Sequence, residues 1–276
     1  MNNEIKILGI IVTYFPDTEQ TKENILQFID NIDTLIIWEN TPANKCNDYK
    51  IILPEYEQKI VYMGTGENNY IAYSLNRAVE YGKKKGYTHI LTMDQDSYFE
   101  TGHFEKYKAI VCDAKDALCV FGVNPNYIDK IEENNLAHKS VLITSGNIIN
   151  LILFDTVGLY REDYKIDCVD YEFCYRAARH GIQCVMVTSI LLKQQFGNTE
   201  KTAYGFHVSN YPPTRLYFIA RNNIKLLKEY PDYTNFRKTV IAWIIKPLIK
   251  ISIGEVNKLE KMGAILKGCW HGLLNK

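Results

Sequence analysis

The sequence predicts an α/β domain, a Rossmann-like mixed sheet flanked by helices, followed by a helical C-terminal appendage. Three observations predict it. Short runs rich in Val and Ile alternate with longer amphipathic stretches, the pattern of strands joined by crossover helices. Four such runs are complete by Met93, and the fourth leads directly into two carboxylates. After Pro213 the strand pattern stops and helical spacing takes over.

In chain order, strands are expected at Ile7–Thr13, 34–38, 59–63 and 89–93, with helices at 21–31 and Tyr70–Lys85 between them. Further apolar strands are expected at 118–123, 140–144 and 183–188. A helix over 171–180 should stop at Gly181, because glycine readily takes the left-handed conformation that closes a helix. From Thr214 onward the elements are helices interrupted at Pro231 and Pro247, and the final segment mixes Trp, Ile and Leu with many Lys. No repeat or long linker is present, so the expected division is 1–212 for the α/β domain and 213–276 for the extension.

Composition bounds the function. The 276 residues are 46% hydrophobic and 23% charged, as expected of a folded globular chain. Lys and Arg total 32 against 32 for Asp and Glu, so no net field draws the protein to nucleic acid, which is not an expected partner. No apolar run approaches the ~20 residues of a transmembrane helix, and Met1 to Lys6 are polar, so the expected location is cytoplasmic. The 7 Cys are odd in number and form no C-x-x-C pair, which indicates neither a disulfide framework nor a zinc ribbon.

The sharpest local signal is His89-Ile90-Leu91-Thr92-Met93-Asp94-Gln95-Asp96-Ser97, an apolar strand ending in two carboxylates. In open α/β sheets the carboxyl edge faces the ligand crevice, and carboxylate oxygens suit Mg²⁺ or Mn²⁺ completed by substrate phosphates. The same Asp-x-Asp could instead cap a turn. A second cluster, Ile166-Asp167-Cys168-Val169-Asp170-Tyr171-Glu172, places three carboxylates at a helix start. Asp170 there would be expected to be stabilised as an anion and could accept a proton from a sugar hydroxyl, or could simply cap the helix; Glu172 and Arg176 have the spacing of a helix-surface ion pair. Gly64-Thr65-Gly66 lacks the third glycine of a dinucleotide fingerprint, no P-loop exists, and Ser145 lacks a nucleophile elbow, so dehydrogenase, P-loop and serine-hydrolase functions are not expected.

These motifs fall in a recognisable order. Ile11-Val12-Thr13-Tyr14-Phe15-Pro16 is close to V-V-T-Y-N-P, residues 68–76 to N-x-G-x-A-x-A-x-N, and residues 91–97 to L-T-L-D-Q-D-S. Ser145-Gly146, residues 166–176, Arg215-Leu216-Tyr217-Phe218-Ile219-Ala220-Arg221-Asn222 and Lys267-Gly268 to Gly272-Leu273 continue the series. In these features the sequence resembles the inverting GT-A glycosyltransferases of the large family 2, and within it the bacterial rhamnosyltransferase-like branch. The resemblance implies a GT-A type nucleotide-diphospho-sugar transferase fold and a sugar donor, with dTDP-L-rhamnose favoured and a UDP-hexose or UDP-galactofuranose as the alternative. It implies that Thr13, Tyr14 and Glu39 hold the nucleoside base, with Asn68, Asn76 and Gln95 in the same donor-binding set. Asp94 would lie near ribose and metal, Asp96 would bind Mn²⁺ or Mg²⁺, and Asp170 would be the base. Arg215 and Arg221 would meet phosphate or acceptor.

Three departures stand out: Glu39 where the family usually has Asp, Tyr70 where it has glycine, and Gln194 where a His often completes the metal site. The last is expected to weaken metal affinity. The implied reaction moves one sugar to a hydroxyl of a bacterial surface polysaccharide precursor, a glycan or lipid-linked glycan; a non-catalytic nucleotide-sugar or glycan binding protein on the same fold is the alternative. The apolar and basic tail would then serve peripheral contact at the inner face of the cell membrane, packing on the rest of the chain, or a homodimer.

Overall fold

A computed structural model describes residues 5–114, 117–126, 129–131, 135–194, 200–201, 207–208 and 210–274. Contacts divide the chain into two compact units, Met1–Glu162 with Phe173–Gln195, and Asp163–Glu172 with Phe196–Lys276. The second unit thus takes in the short 163–172 segment as well as the expected helical extension.

The first unit is built on a mixed sheet. Strands β1 (Ile7–Thr13), β2 (Thr34–Glu39), β3 (Ile60–Gly64) and β4 (His89–Asp94) are mutually parallel in the order β3-β2-β1-β4. Their connections carry α1 (Thr18–Leu26) and α2 (Tyr70–Lys85). β5 (Ser97–Phe99), β6 (Cys119–Pro125), β7 (Leu136–Lys139), β8 (Asn147–Asn150) and β9 (Gln183–Gln194) extend it as β4-β8-β6-β9-β5, with β7 also on β9. Helices α3 (His103–Asp113), α4 (Leu153–Val157) and α5 (Val169–Arg179) occur along this stretch. Ile7, Ile11, Leu35, Ile37, Leu91, Met93 and Phe99 join one buried cluster that also receives Phe28 and Phe104. The nearly continuous buried runs of β1 and β4, broken only at Val12 and Asp94, are what strands covered on both faces require.

Helix limits have local causes. Asp17 accepts the Gln20 N–H and starts α1 earlier than the expected 21, and a separate 3-10 turn over Ile29–Asn31 replaces its end. Gly86 (φ +76°) and Gly181 (φ +74°) supply the left-handed residues that follow α2 and α5. One expected strand is absent: residues 140–144 form a loop between β7 and β8. They pass the end of β4 instead, where Thr144 O accepts the Thr92 hydroxyl and the Gly146 N–H bonds Thr92 O at 2.7 Å. Apolar content alone could not separate such a crossing from a strand.

The second unit contains α6 (Pro213–Glu229), α7 (Phe236–Val240), a π-helical turn over Ile241–Ile245, α8 (Lys246–Gly254) and α9 (Lys258–Leu274), with the short pair β10 (Glu200–Lys201) and β11 (His207–Val208). Pro247 does not break the helix as expected. It lacks the N–H that an α-turn would need, and the turn before it widens to π-helix, so α7, the π turn and α8 run on continuously. α6 and α9 pack closely through small residues. A Cβ on Gly268 would run into Tyr217 O, and one on Gly272 would lie 2.6 Å from Arg221 O. The match of Lys267-Gly268 to Gly272-Leu273 therefore has a packing cause, two glycines one helical turn apart against a neighbouring backbone.

Two substitutions within α9 should move stability in opposite directions. Gly268→Val should lower the unfolding free energy by about 3 kcal/mol or more, since the new side chain meets backbone that cannot yield. Gly263→Ala, where a Cβ meets nothing within 4 Å, should raise it by about 0.5–1 kcal/mol. Denaturant midpoints of the two variants against wild type check both.

Candidate active site

Backbone register brings the chemical groups of the first unit to one edge. Thr13 pairs with Glu39 across β1 and β2, Glu39 with Gly64 across β2 and β3, and Asp94 with Val12 across β4 and β1. The carboxyl ends of four parallel strands are therefore level. β1 leads to β2 on one side while β4 joins on the other, so the β1/β4 boundary is the topological switch point at which open α/β sheets bind ligands.

Gln95 ties this boundary together. Its Oε1 accepts the Tyr14 N–H at 2.7 Å, its Nε2 donates to Tyr14 O at 3.2 Å, and its own carbonyl accepts Asn24 Nδ2 at 3.0 Å. Both neighbours of Gln95 are carboxylates, so the turn after β4 is held by its middle residue. Tyr14 keeps an exposed ring (47%). Thr13 is buried and donates to Trp38 O, whereas Glu39 caps the turn beyond β2 by accepting the Thr41 N–H at 2.6 Å.

Asp94 is held from two sides. Its N–H donates to Ser145 Oγ at 3.0 Å, and its Oδ2 accepts Gln194 Nε2 at 2.8 Å. Ser145 lies in the loop where a strand was expected, and its role was visible in the sequence only through the Ser145-Gly146 match. Gln194 directs its amide N–H₂ at Asp94, while its Oε1 is buried with no hydrogen-bond partner among the described residues. A cleft of about 930 Å³ is lined by Gln95, Asp96, Lys193, Gln194 and residues of α1; Thr13, Tyr14 and Glu39 are not part of its wall. Lys193 reaches Glu100 at 3.4 Å. Gln195, Phe196 and Gly197, which complete the segment compared with H-Q-x-G, lie outside the described residues.

The donor set fits a hard divalent cation. Asp94 and exposed Asp96 supply carboxylate oxygens, and the unpartnered Gln194 Oε1 is an amide oxygen of the kind that Mg²⁺, Mn²⁺ and Ca²⁺ accept. Among the described residues no group of three or more His, Cys, Asp or Glu is placed to hold a metal.

The start of α2 differs in character. Asn68 accepts the Tyr70 N–H at 2.9 Å, and Tyr70 has φ +62°, a left-handed backbone that costs a bulky residue about 1–3 kcal/mol. The resemblance places glycine at this position, and the conformation explains why. Asn76 is buried and committed: it exchanges hydrogen bonds with Tyr160 N and O at 2.8 Å each and donates to Glu162 at 2.9 Å. Its amide links α2 to the 160–162 segment.

In the second unit, Asp170 is the second residue of α5. Its Oδ1 accepts the Tyr171 N–H at 2.9 Å, and its pKa is raised to about 6 by burial first and by the nearby charge of Asp167, against the opposing backbone hydrogen bonds. The approach to it is unusual. Lys165, Asp167 and Cys168 all have φ near +60°. Asn222 holds this loop by donating through Nδ2 to Tyr164 O, Ile166 O and Asp167 O at 2.8–2.9 Å. Arg221, 8% exposed, donates to Asn222 Oδ1 and to Asp163 O, and Arg215 pairs with Asp167 at 3.3 Å while stacking on Tyr211. The two guanidiniums expected to meet phosphate or acceptor thus both engage the 163–167 loop. Glu172 is fully buried rather than on a helix surface and accepts the Tyr230 hydroxyl at 2.7 Å, while Arg176 donates to Val157 O and Leu159 O.

No model of a known protein family matches the chain. It is 26% identical to the dTDP-rhamnosyl transferase RfbF of Shigella flexneri over an alignment of 280 residues, which covers 93% of this chain and 91% of that protein. Among solved structures, GalNAc-T7 with UDP, GalNAc and Mn²⁺ matches 99% of the chain with a TM-score of 0.61 at 10% identity. The chain spans 56% of that structure's length, and a likeness at this identity speaks to the fold alone. The chain thus shares the GT-A fold with that structure and is similar along nearly its whole length to a rhamnosyl transferase.

Proposed function

We propose that the protein is an inverting glycosyltransferase that takes a sugar from a nucleotide diphosphate and attaches it to a hydroxyl of a bacterial surface polysaccharide precursor. dTDP-L-rhamnose is the favoured donor, a preference that rests on the similarity to RfbF. The observation that carries the reading is the Asp94-Gln95-Asp96 turn at the β1/β4 switch point, braced by Tyr14, Ser145 and Gln194.

Each chain residue then has a task. Tyr14 offers an exposed aromatic face for a base, and Thr13 and Glu39 shape the strand ends beside it. Asp94, Asp96 and the Gln194 amide oxygen would hold Mn²⁺ or Mg²⁺, which supplies charge neutralisation for a departing diphosphate. Asp170 takes the proton of the acceptor hydroxyl. Its raised pKa of about 6 suits that role, because a stronger base that is still ionised near neutral pH is the better proton acceptor. Attack on the anomeric carbon from the face opposite the nucleotide inverts its configuration. Asn222, Arg221 and Arg215 act through the loop: by holding the 163–168 segment, in which Lys165, Asp167 and Cys168 are left-handed, they set where the helix that carries Asp170 begins.

Three outcomes follow from these assignments. Asp96→Ala should reduce transfer by ~10²-fold or more and remove the divalent-cation dependence of nucleotide binding, read by calorimetry with and without Mn²⁺. Wild-type cation-dependent binding by this variant would reduce Asp96 to a turn residue.

Asp170→Asn should lose ~10²-fold or more in turnover while binding donor normally, and wild-type kcat/KM should fall tenfold per pH unit below about 6. Stability supplies an independent check. A carboxyl with a folded-state pKa above its unfolded value contributes stability that is fully present below about pH 4 and lost as pH rises through about 6. Asp170→Asn should therefore unfold at a higher temperature than wild type at pH 7.5, with the gap closing toward pH 4. A capping role predicts no such gain.

Asn222→Ala strips three loop carbonyls of a donor and should cost about 1–3 kcal/mol of stability. If Asn222 positions Asp170, kcat should fall with donor KM unchanged, and the acid limb of the pH profile should move below 6 as the loosened loop admits water to the carboxyl. A stability loss with an unmoved profile would leave it a purely structural residue.

A further inference from the structure

The helices at the end of the second unit are two-faced. At 3.6 residues per turn, Lys261, Ile265, Gly268 and Gly272 of α9 fall within an arc of roughly 60° and are buried, the glycines against α6. Leu259, Leu266, Trp270 and Leu273 fall within another arc of roughly 60° on the opposite side, and they are 88%, 60%, 61% and 55% exposed. The preceding continuous helix behaves alike. Ile251 is its only buried residue among those described, whereas Ile241, Ile245, Ile249 and Ile253 recur every fourth position with 43–51% exposure. An apolar surface of this extent is not left to water without a partner.

Charge selects the partner. The chain as a whole is neutral, but residues 236–276 carry eight Lys or Arg and only two Glu. Lys261 and Glu255 neutralise each other inside the fold at 2.7 Å, which leaves the exposed positions strongly basic: Lys246, Lys250 and Lys267 lie beside the apolar rows. Two copies joined through this surface would bring like charge against like charge. An anionic lipid headgroup layer complements it, with Trp243 and Trp270 as the amphipathic rings that favour a membrane interface. No helix among the described residues is long and apolar enough to cross a membrane.

We infer that α8 and α9, with the π turn, form a peripheral docking surface for an anionic lipid bilayer, the apolar rows entering the headgroup boundary and the lysines engaging the lipid charge. The inference stands independently of the transfer reaction. Its test is flotation of the full chain with phosphatidylcholine vesicles and with phosphatidylcholine vesicles containing about a third phosphatidylglycerol. Binding should occur to the anionic vesicles, fall steeply in 1 M salt (~3 Å screening length), and be weak on neutral ones.

Two variants at exposed positions separate the contributions. L266E/W270E should abolish binding, and K250E/K267E should lower the partition coefficient by about tenfold or more, both with wild-type thermal midpoints. Absence of flotation with anionic vesicles would overturn the inference. So would sedimentation as a dimer that L266E/W270E dissociates, since the surface would then be an interface between copies. Donor binding measured on the same variants should be unchanged, which keeps failure of this inference distinct from failure of the proposed reaction.

Discussion

The parallel hydrogen-bond ladder joining β1 to β2 and β4 is the constraint on which the site depends. Its register sets Thr13 opposite Glu39 and Asp94 opposite Val12, so residues 26 and 82 positions apart become neighbours at one edge. Parallel strands need a crossover for each pairing, and the direction of those crossovers opens a crevice only beside β1. A slip of one residue in either ladder would turn every side chain of the strand to the other face, taking the apolar rows out of the core and the polar ends out of the crevice. The buried cluster built from β1, β2 and β4 enforces the register and so positions the chemistry.

Around that edge the protein commits its polar groups unevenly. Gln95, Ser145 and Gln194 are used to hold the Asp94 turn through three side-chain hydrogen bonds from three different segments. Among the described residues Gln194 Oε1 nevertheless has no hydrogen-bond partner, while the same amide holds the Asp94 carboxylate. Glutamine where the resembled family often has histidine therefore offers an amide oxygen in place of an imidazole nitrogen, a harder donor than a borderline one.

The loop before Asp170 shows the opposite balance, with backbone strain accepted to reach a particular geometry. Three non-glycine residues with φ near +60° cost about 1–3 kcal/mol each, and they persist because Asn222, Arg221 and Arg215 supply hydrogen bonds and charge to the same short segment. Asp170 itself is held with its pKa raised, which costs stability near neutral pH. Strain and a destabilised carboxylate thus coincide in one segment, which is what the proposed role of Asp170 as base draws on. Helix α9 applies a simpler rule: glycines on one face permit contact with α6, and large apolar residues on the other are left outward.

The sequence by itself determined most element types and many of their limits, because apolar period and a breaker such as Gly181 act within a few residues of where they are read. It also located the carboxylates at Asp94, Asp96 and Asp170, since motif spacing survives in one dimension. Tertiary structure decided what no local rule could. Residues 140–144 have strand composition but cross the end of β4, where bonds to Thr92 outcompete a ladder. Pro247 should have ended a helix, yet a wider turn absorbed its missing donor. Asn76, Arg215 and Arg221 matched donor and acceptor motifs in spacing, but their partners, Tyr160, Asp167 and Asp163, lie 48 to 84 residues away and are brought to them only by folding. A hydrogen bond needs its two atoms within about 3 Å, and the sequence records only one of them at a time.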